Sequence, residues 1–308
     1  MCKESGESPP NLPSPLAQRQ APRRPRMPQA RATVILLLRV AQGPYLDPLP
    51  QNLEQVIDDA WVATQSVPGF LLENEARFLG RLAACLPAKG TIVEIGSFKG
   101  RSTVMLTKVA AYYGLGPVVS IDPHTHELST GAAPGSLPST YDDFLSSLRI
   151  ANVEEHVEIH RALSADVART WQHPIRFLWI DGDHTYAGAK ADFDGFAPFL
   201  QPGAVVALHD SLNDFPGPIR VFVEDILRSK QFGPAGFVHS IAWSQFRPAD
   251  ARGFAPQKAE LASRASRLLP LAQQGPGLRG LAKIRYKLLR SRIPRQPISA
   301  SELAALLT

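Results

Sequence analysis

Cysteine is nearly absent from this chain, with only Cys2 and Cys85 in 308 residues. Two cysteines build no disulfide framework and offer none of the paired spacings that hold a structural zinc. Long apolar runs are missing as well. The longest, Thr33-Val-Ile-Leu-Leu-Leu38, is far short of the roughly 20 residues of a membrane-spanning helix. It fits a strand or a short packing helix. It also comes late, behind a stretch rich in proline and arginine, which is the wrong order for a secretory signal. A cytoplasmic chain is the expectation. Acids are scarce at both ends: seven Lys/Arg stand against three Asp/Glu in residues 1–50, and 11 against two in residues 251–308. Residues 51–250 reverse the balance, with 15 against 23. An acidic centre between basic ends argues against a nucleic-acid-binding face on the core. The basic end after residue 250 also lacks the accompanying aromatics that stack on bases.

What is present is enough apolar matter for a sizeable core, 44% hydrophobic against 20% charged residues. Composition divides the chain into a disordered, basic segment over 1–50, a domain over 51–250 and a basic helical tail over 251–308. Residues 1–32 hold seven prolines, and Met27 offers an alternative start. Residues 52–87 read as helical, broken at Pro68-Gly69, with Asn74–Ala84 amphipathic and packed near a ligand mouth. Strands are then expected at Thr91–Ile95, Pro117–Asp122, Val157–Arg161, Phe177–Asp181 and Ala204–Asp210. Helical patterns lie between them, and Phe237–Phe246 reads as a closing strand or hairpin. That alternation predicts an α/β fold, a mostly parallel sheet with helices on both faces.

The stretch Thr91-Ile-Val-Glu-Ile-Gly-Ser-Phe-Lys-Gly-Arg-Ser-Thr103 organises the rest. A short buried strand runs into a turn bracketed by Gly96 and Gly100, and Ser102-Thr103 leads into a helical pattern through Val104, Leu106 and Val109. A strand, a glycine turn and a helix N-terminus make a nucleotide-binding corner. It is not the dinucleotide fingerprint, because Phe98 stands where that motif has its second glycine. Glu94 lies inside the strand instead. A carboxylate there repels a pyrophosphate but suits a ligand carrying an ammonium and a sulfonium. Asp122 ends the second strand 28 residues later, where an open α/β sheet places the carboxylate that holds a ribose diol. Asp181 and Asp210 end two further strands. Carboxylates on neighbouring strand ends suit a hard divalent ion such as Mg²⁺, and His184, three residues past Asp181, suits a general base.

The pattern Glu94-Ile-Gly-Ser-x-x-Gly-x-Ser-Thr103 resembles motif I of the class I S-adenosylmethionine-dependent methyltransferases. More narrowly it resembles the branch with macrolide-sugar O-methyltransferases and cephalosporin-hydroxylase-like proteins. The resemblance covers about residues 65–248. It implies a Rossmann-like, seven-stranded, mostly parallel sheet that binds S-adenosylmethionine through Glu94, Gly96, Ser97, Gly100, Ser102 and Asp122. Ser164 and Asp166 then stand where the fold contacts adenine, although Asp166 also suits a helix cap. Asp181 and Asp210 hold the metal, and His184 works beside Asp181 as the base. The third ligand stays open between His209, Ser211 and the 124–138 loop. Asp183 is expected to be structural and Tyr186 to pack inward. The implied acceptor is a hydroxyl on a sugar or glycosylated small molecule. Rivals are a catechol-like or hydroxylase-like enzyme of the same fold, or a non-enzymatic scaffold working through its basic tail. Ser211 follows Asp210 where catechol enzymes resemble Asp-Asn, which weighs against the first.

The tail segment Leu278–Ser291 has an amphipathic helical pattern, with Leu278, Leu281, Ala282, Ile284, Leu288 and Leu289 on one face. Arg279, Lys283, Lys287 and Arg290 lie on the other. Such a helix would pack on the domain, lie on an anionic membrane or dock a protein partner.

Overall fold

The first strand, β1 (Thr91–Ile95), alternates its side chains between two helix-covered faces, which is the key to the architecture. Val93 and Ile95 belong to one apolar cluster, and Ile92 to the other, as a period of two requires. A computed structural model describes residues 49–125, 138–274 and 277–308. The expected disorder of residues 1–48, and most of the 124–138 loop, lie outside them.

Two helices precede the strand, α1 (Leu53–Gln65) and α2 (Glu73–Cys85). After it come α3 (Arg101–Tyr112), β2 (Val118–Ile121), α4 (Tyr141–Ile150), β3 (Val157–His160) and α5 (Ser164–Ala168). Then follow β4 (Ile175–Ile180), α6 (Tyr186–Phe196), β5 (Leu200–Leu208) and α7 (Pro216–Val221). The hairpin β6 (Phe232–Val238) and β7 (Ile241–Phe246) completes a seven-stranded sheet of order β3-β2-β1-β4-β5-β7-β6. β1 to β5 are parallel, while β7 runs antiparallel to both β5 and β6. This is the class I methyltransferase fold that the motif I resemblance implies, and the mostly parallel sheet that the α/β alternation predicts. One strand starts earlier than its sequence suggests. Pro202-Gly203 is not a turn before β5 but lies within it, and the ladder slips between Leu200 and Val205.

The described part of the chain after residue 250 packs on this sheet. It contains α8 (Ala255–Ala265), α9 (Gly280–Ser291) and α10 (Ala300–Leu307). From α10, Ala300, Leu303 and Leu307 are buried among Phe78, Trp243 and Val205, and Gln245 Nε2 donates to the Leu307 carbonyl at 2.7 Å. From α8, the Lys258 ammonium donates to the carbonyls of Ser229 and Phe232 at 2.6 and 2.5 Å. Residues 251–308 are therefore not an appendage. The two apolar clusters that flank the sheet both include residues from beyond 250.

The tail helix also corrects its expected orientation. Its inward face is Ala282, Tyr286 and Leu289, continued by Leu278 before it and Ile293 after it. Leu281, Ile284 and Leu288 are 83%, 64% and 54% exposed. The predicted single apolar face is two faces. A buried tyrosine, whose hydroxyl donates to the Asn213 carbonyl at 2.7 Å, recruits the one that packs.

Candidate active site

The carboxyl ends of β1, β2, β4 and β5 meet along one edge. The parallel ladder runs one residue past each strand: Gly96 N donates to Ile121 O, Asp181 N to Ile95 O and His209 N to Ile180 O, at 2.9, 2.8 and 3.0 Å. The strand order reverses between β1 and β4, so the β1–α3 and β4–α6 loops flank the switch point, the usual ligand position in open α/β sheets.

Asp122 is central on the β2 side. Its Oδ2 accepts from Ser97 N and Phe98 N, both at 2.8 Å, and its Oδ1 from His124 N at 2.6 Å. Three backbone N–H groups thus fix the carboxylate, which keeps lone pairs for a further donor. Ser97 is buried and its hydroxyl meets that of Ser120 at 2.5 Å. The two glycines are required by the backbone. Gly96 has φ 86° and a Cβ there would meet the Asp181 carbonyl oxygen at 2.2 Å; Gly100 has φ 90° and starts α3. Gly96 thereby lets the β1 and β4 ends close on each other, which differs from its expected role of admitting a ligand.

Glu94 and Ser102, expected to hold the cofactor, are engaged with each other. Glu94 shares a face with Ile92, so it points at α3, where both its oxygens accept from the hydroxyls of Ser102 and Thr103. It is fully buried, and burial pushes its carboxyl up to about 8 despite those two donors, with Asp181 and Asp122 adding to the rise. Glu94 is thus enclosed between β1 and α3. It pins the start of α3 to β1. Ser164 and Asp166 likewise have partners in the protein: the Ser164 hydroxyl donates to Asp192 Oδ1 at 2.5 Å, and the exposed Asp166 pairs with Arg169.

On the β4–β5 side, Asp181, His184 and Asp210 each offer a ligand atom within 4.8 Å of the others. His184 Nε2 lies 3.2 Å from Asp210 Oδ2 and 3.7 Å from Asp181 Oδ1. Both ring nitrogens are buried without a hydrogen bond. Phe215 stacks on the ring, centroids 4.4 Å apart. This is arranged by Gly217, whose N donates to the His184 carbonyl at 2.9 Å and whose missing side chain lets α7 approach. Burial alone would depress the imidazole, but Asp210 and Asp181 outweigh it and hold its pKa raised. Asp210 sits at φ 52°, a region that aspartate tolerates better than most side chains. Burial would raise its carboxyl, but His184, His209 and Asn213 hold it low.

Two residues considered as third ligand are engaged elsewhere. The Ser211 hydroxyl is buried and donates to the Leu208 carbonyl at 3.0 Å. His209 is wedged between carboxylates, Nδ1 at 3.0 Å from Asp181 Oδ1 and Nε2 at 3.3 Å from Glu75 Oε2. Burial opposes its protonation, yet Asp181 and Glu75 raise its pKa well above the ordinary value, so it is an imidazolium donating to both. Asp183 is structural, as expected, accepting from the N and the hydroxyl of Thr185 at 2.8 and 2.9 Å. Tyr186 opens α6 with the Arg220 guanidinium over its ring.

Glu75 is the residue that the motif reading missed. It is 1% exposed, and besides His209 it meets His239 Nδ1 at 2.9 Å and accepts from Ser240 N at 3.1 Å and from the Ser240 hydroxyl. Burial would raise its carboxyl, but His209 and Ser240 bring it down to about 2. A signal existed. Glu75 stands at i−3, i−4 and i−7 from Phe78, Leu79 and Leu82, on the buried face of α2.

Residues 93–211 match the family model described as a methyltransferase domain. Among solved structures, the chain is similar to an O-methyltransferase from Bacillus cereus in complex with S-adenosylhomocysteine, at 20% identity over 69% of this chain and 96% of that one, TM-score 0.43. It is also similar to the O-methyltransferase TomG from Streptomyces achromogenes in complex with S-adenosylmethionine (17%; 70% and 95%; TM-score 0.44). A third is NovP, an O-methyltransferase, at 11% identity, 63% and 98% coverage and TM-score 0.49. The fold assignment rests on the strand order described above. Residues 93–211 are a methyltransferase domain.

Proposed function

We propose that this domain transfers a methyl group from S-adenosylmethionine to a hydroxyl of a sugar or glycosylated small molecule, with a divalent ion beside the acceptor. The observation that carries the reading is the placement, along one edge of the sheet, of Asp122 and the Asp181–His184–Asp210 cluster. Asp122 is an acceptor-only group fixed by three backbone donors at the end of β2, which suits a diol. A cationic sulfonium suits the three carboxylates of the edge, a role the sequence reading gave to Glu94. Gly96, Ser97 and Gly100 shape the wall. Ser164 and Asp166 would reach the adenine only by giving up their present partners.

Two carboxylates and a buried, unsatisfied imidazole within 4.8 Å fit a hard divalent ion. When bound there, such an ion would hold neighbouring acceptor oxygens and lower the pKa of the hydroxyl. Asp181 and Asp210 are its ligands in this reading, and His184 takes the hydroxyl proton. The neighbouring carboxylates orient the ring, with Nε2 3.2 Å from Asp210 Oδ2. Phe215 keeps water from one face of the ring, and the Glu75–His209 pair holds Asp181 in place. Because Nε2 lies so close to both carboxylates, a second reading makes it the third ligand. Metal titration of His184→Gln separates the two. Unchanged affinity with lost turnover supports the base, whereas lost affinity supports the ligand.

The test of the whole reading is calorimetric titration with S-adenosylhomocysteine, with and without Mg²⁺. Binding should weaken about 10- to 100-fold in Asp122→Asn, which keeps an acceptor but loses the charge. Absence of binding by folded wild-type protein would sink the cofactor assignment. Methyl incorporation into glycosides but not catechols would support the acceptor class.

A further inference from the structure

The exposed stripe on α9 has a pattern that packing does not explain. Leu281, Ile284 and Leu288 are spaced i, i+3, i+7 and fall within an arc of about 60° at 100° per residue. Their exposures of 83%, 64% and 54% make them among the largest apolar groups left in solvent. The opposite side of the helix is occupied by Ala282, Tyr286 and Leu289 against the domain, so the stripe is held facing outward. Exposed cations flank it on both sides: Lys283 and Lys287 on one edge, Arg285 and Arg292 on the other. From residue 261 to 301 the chain has nine Lys/Arg and no Asp/Glu.

We infer that α9 is a membrane-docking element that lies flat on a bilayer rich in anionic headgroups. A narrow aliphatic stripe with a cation row along each edge suits that surface. The aliphatic groups enter the acyl boundary, and the lysine and arginine stems reach sideways to the phosphates. An acidic protein groove is a poorer fit. It would need acids on both of its walls, and the stripe offers it no aromatic anchor of the kind that dominates protein interfaces. The helix is already held by Leu278, Tyr286 and Ile293, so docking needs no folding step. No described helix is long and apolar enough to cross a membrane, and docking of this kind is peripheral. The inference does not depend on the methyl-transfer reading.

The experiment is flotation of the full chain with vesicles of phosphatidylcholine alone or with about 30 mol% phosphatidylserine. Binding should be at least tenfold stronger to the anionic vesicles. It should fall when salt rises from about 0.1 M to about 1 M, where the screening length drops from about 10 Å to about 3 Å. The triple variant Leu281→Ser, Ile284→Ser, Leu288→Ser and the charge variant Lys283→Glu, Lys287→Glu should each lose binding. All five positions are solvent-exposed, so unchanged thermal unfolding checks that both variants fold. Absence of binding to anionic vesicles overturns the inference. So does binding that the triple variant retains, which would move the contact elsewhere, or binding only to acidic polypeptides, which would make α9 a protein-docking surface.

Discussion

At Glu94 the buried environment decides what the side chain can be. Its folded-state carboxyl is raised to about 8 from an ordinary 4.5. The stability it contributes is therefore complete below pH 4.5 and is lost as the pH rises through 8. Glu94→Gln removes the titration. The variant should gain on wild type as pH climbs through that window, at a limiting slope of about 1.4 kcal/mol per pH unit. Chemical denaturation of both proteins at a series of pH values measures it, and parallel curves would show that Glu94 is ionised throughout. Cys85 is a simpler case. Burial, with Glu54 adding, pushes its thiol up to about 12. In a Cys2→Ser background it should resist alkylation at pH 8 until denaturant is added. In the active-site cluster, His184→Gln should lower turnover by about 10²–10⁴ while leaving S-adenosylhomocysteine binding near the wild-type value.

The element most underestimated by its sequence is α2. It reads as an amphipathic helix, and it is one. One polar side chain on its buried face, Glu75, also bridges α2 to the ends of β5 and the β6–β7 turn through His209, His239 and Ser240. Glu75→Ala leaves His209 with Asp181 alone and takes the acceptor from Ser240, and should cost about 3–5 kcal/mol, the usual penalty for breaking a buried pair. Glu75 is depressed to about 2, so its stabilisation is present above the ordinary 4.5 and is lost as pH falls toward 2. An unfolding series in acid, wild type against Glu75→Gln, should converge there. Such a partner was not legible from spacing, because 134 residues separate Glu75 from His209 and only the folded sheet joins them. Asp122, Asp181 and Asp210 were legible for the opposite reason. Each stands at or just past the end of a strand whose apolar run is visible, and a parallel sheet brings such ends to one edge. Glu94 misled because a strand position reveals a face but not what covers it. The α9 stripe misled because a wide apolar arc does not say which half will pack.

For the molecule as a whole, the mostly parallel sheet and the edge that gathers its acids followed from alternating strands and helices. The integration of residues 251–308 did not. Their basic composition suggested an appendage, yet Leu303 and Leu307 are buried in the core. Truncation before Ser299 should therefore unfold the domain or lower its melting temperature by many degrees, and a truncated chain that melts like the full one would show the core to be complete without it. Deleting 251–308 is accordingly no clean test of function.

The grip of the tail on the site bears on the order in which the molecule is made. Tyr286 holds the Asn213 carbonyl, Asp214 accepts from the N–H groups of Gly277 and Leu278 at 2.8 and 3.0 Å, and Asn213 in turn donates to Asp210. These partners are synthesised some 60 to 75 residues after the loop they fasten. A ribosome-bound chain ending near residue 250 would carry every strand and every acid of the site, but not the tail contacts that fasten the Asn213–Asp214 loop beside Asp210. The enzyme's competence arrives with its tail, late in translation, and a nascent chain stalled before that point should stay silent.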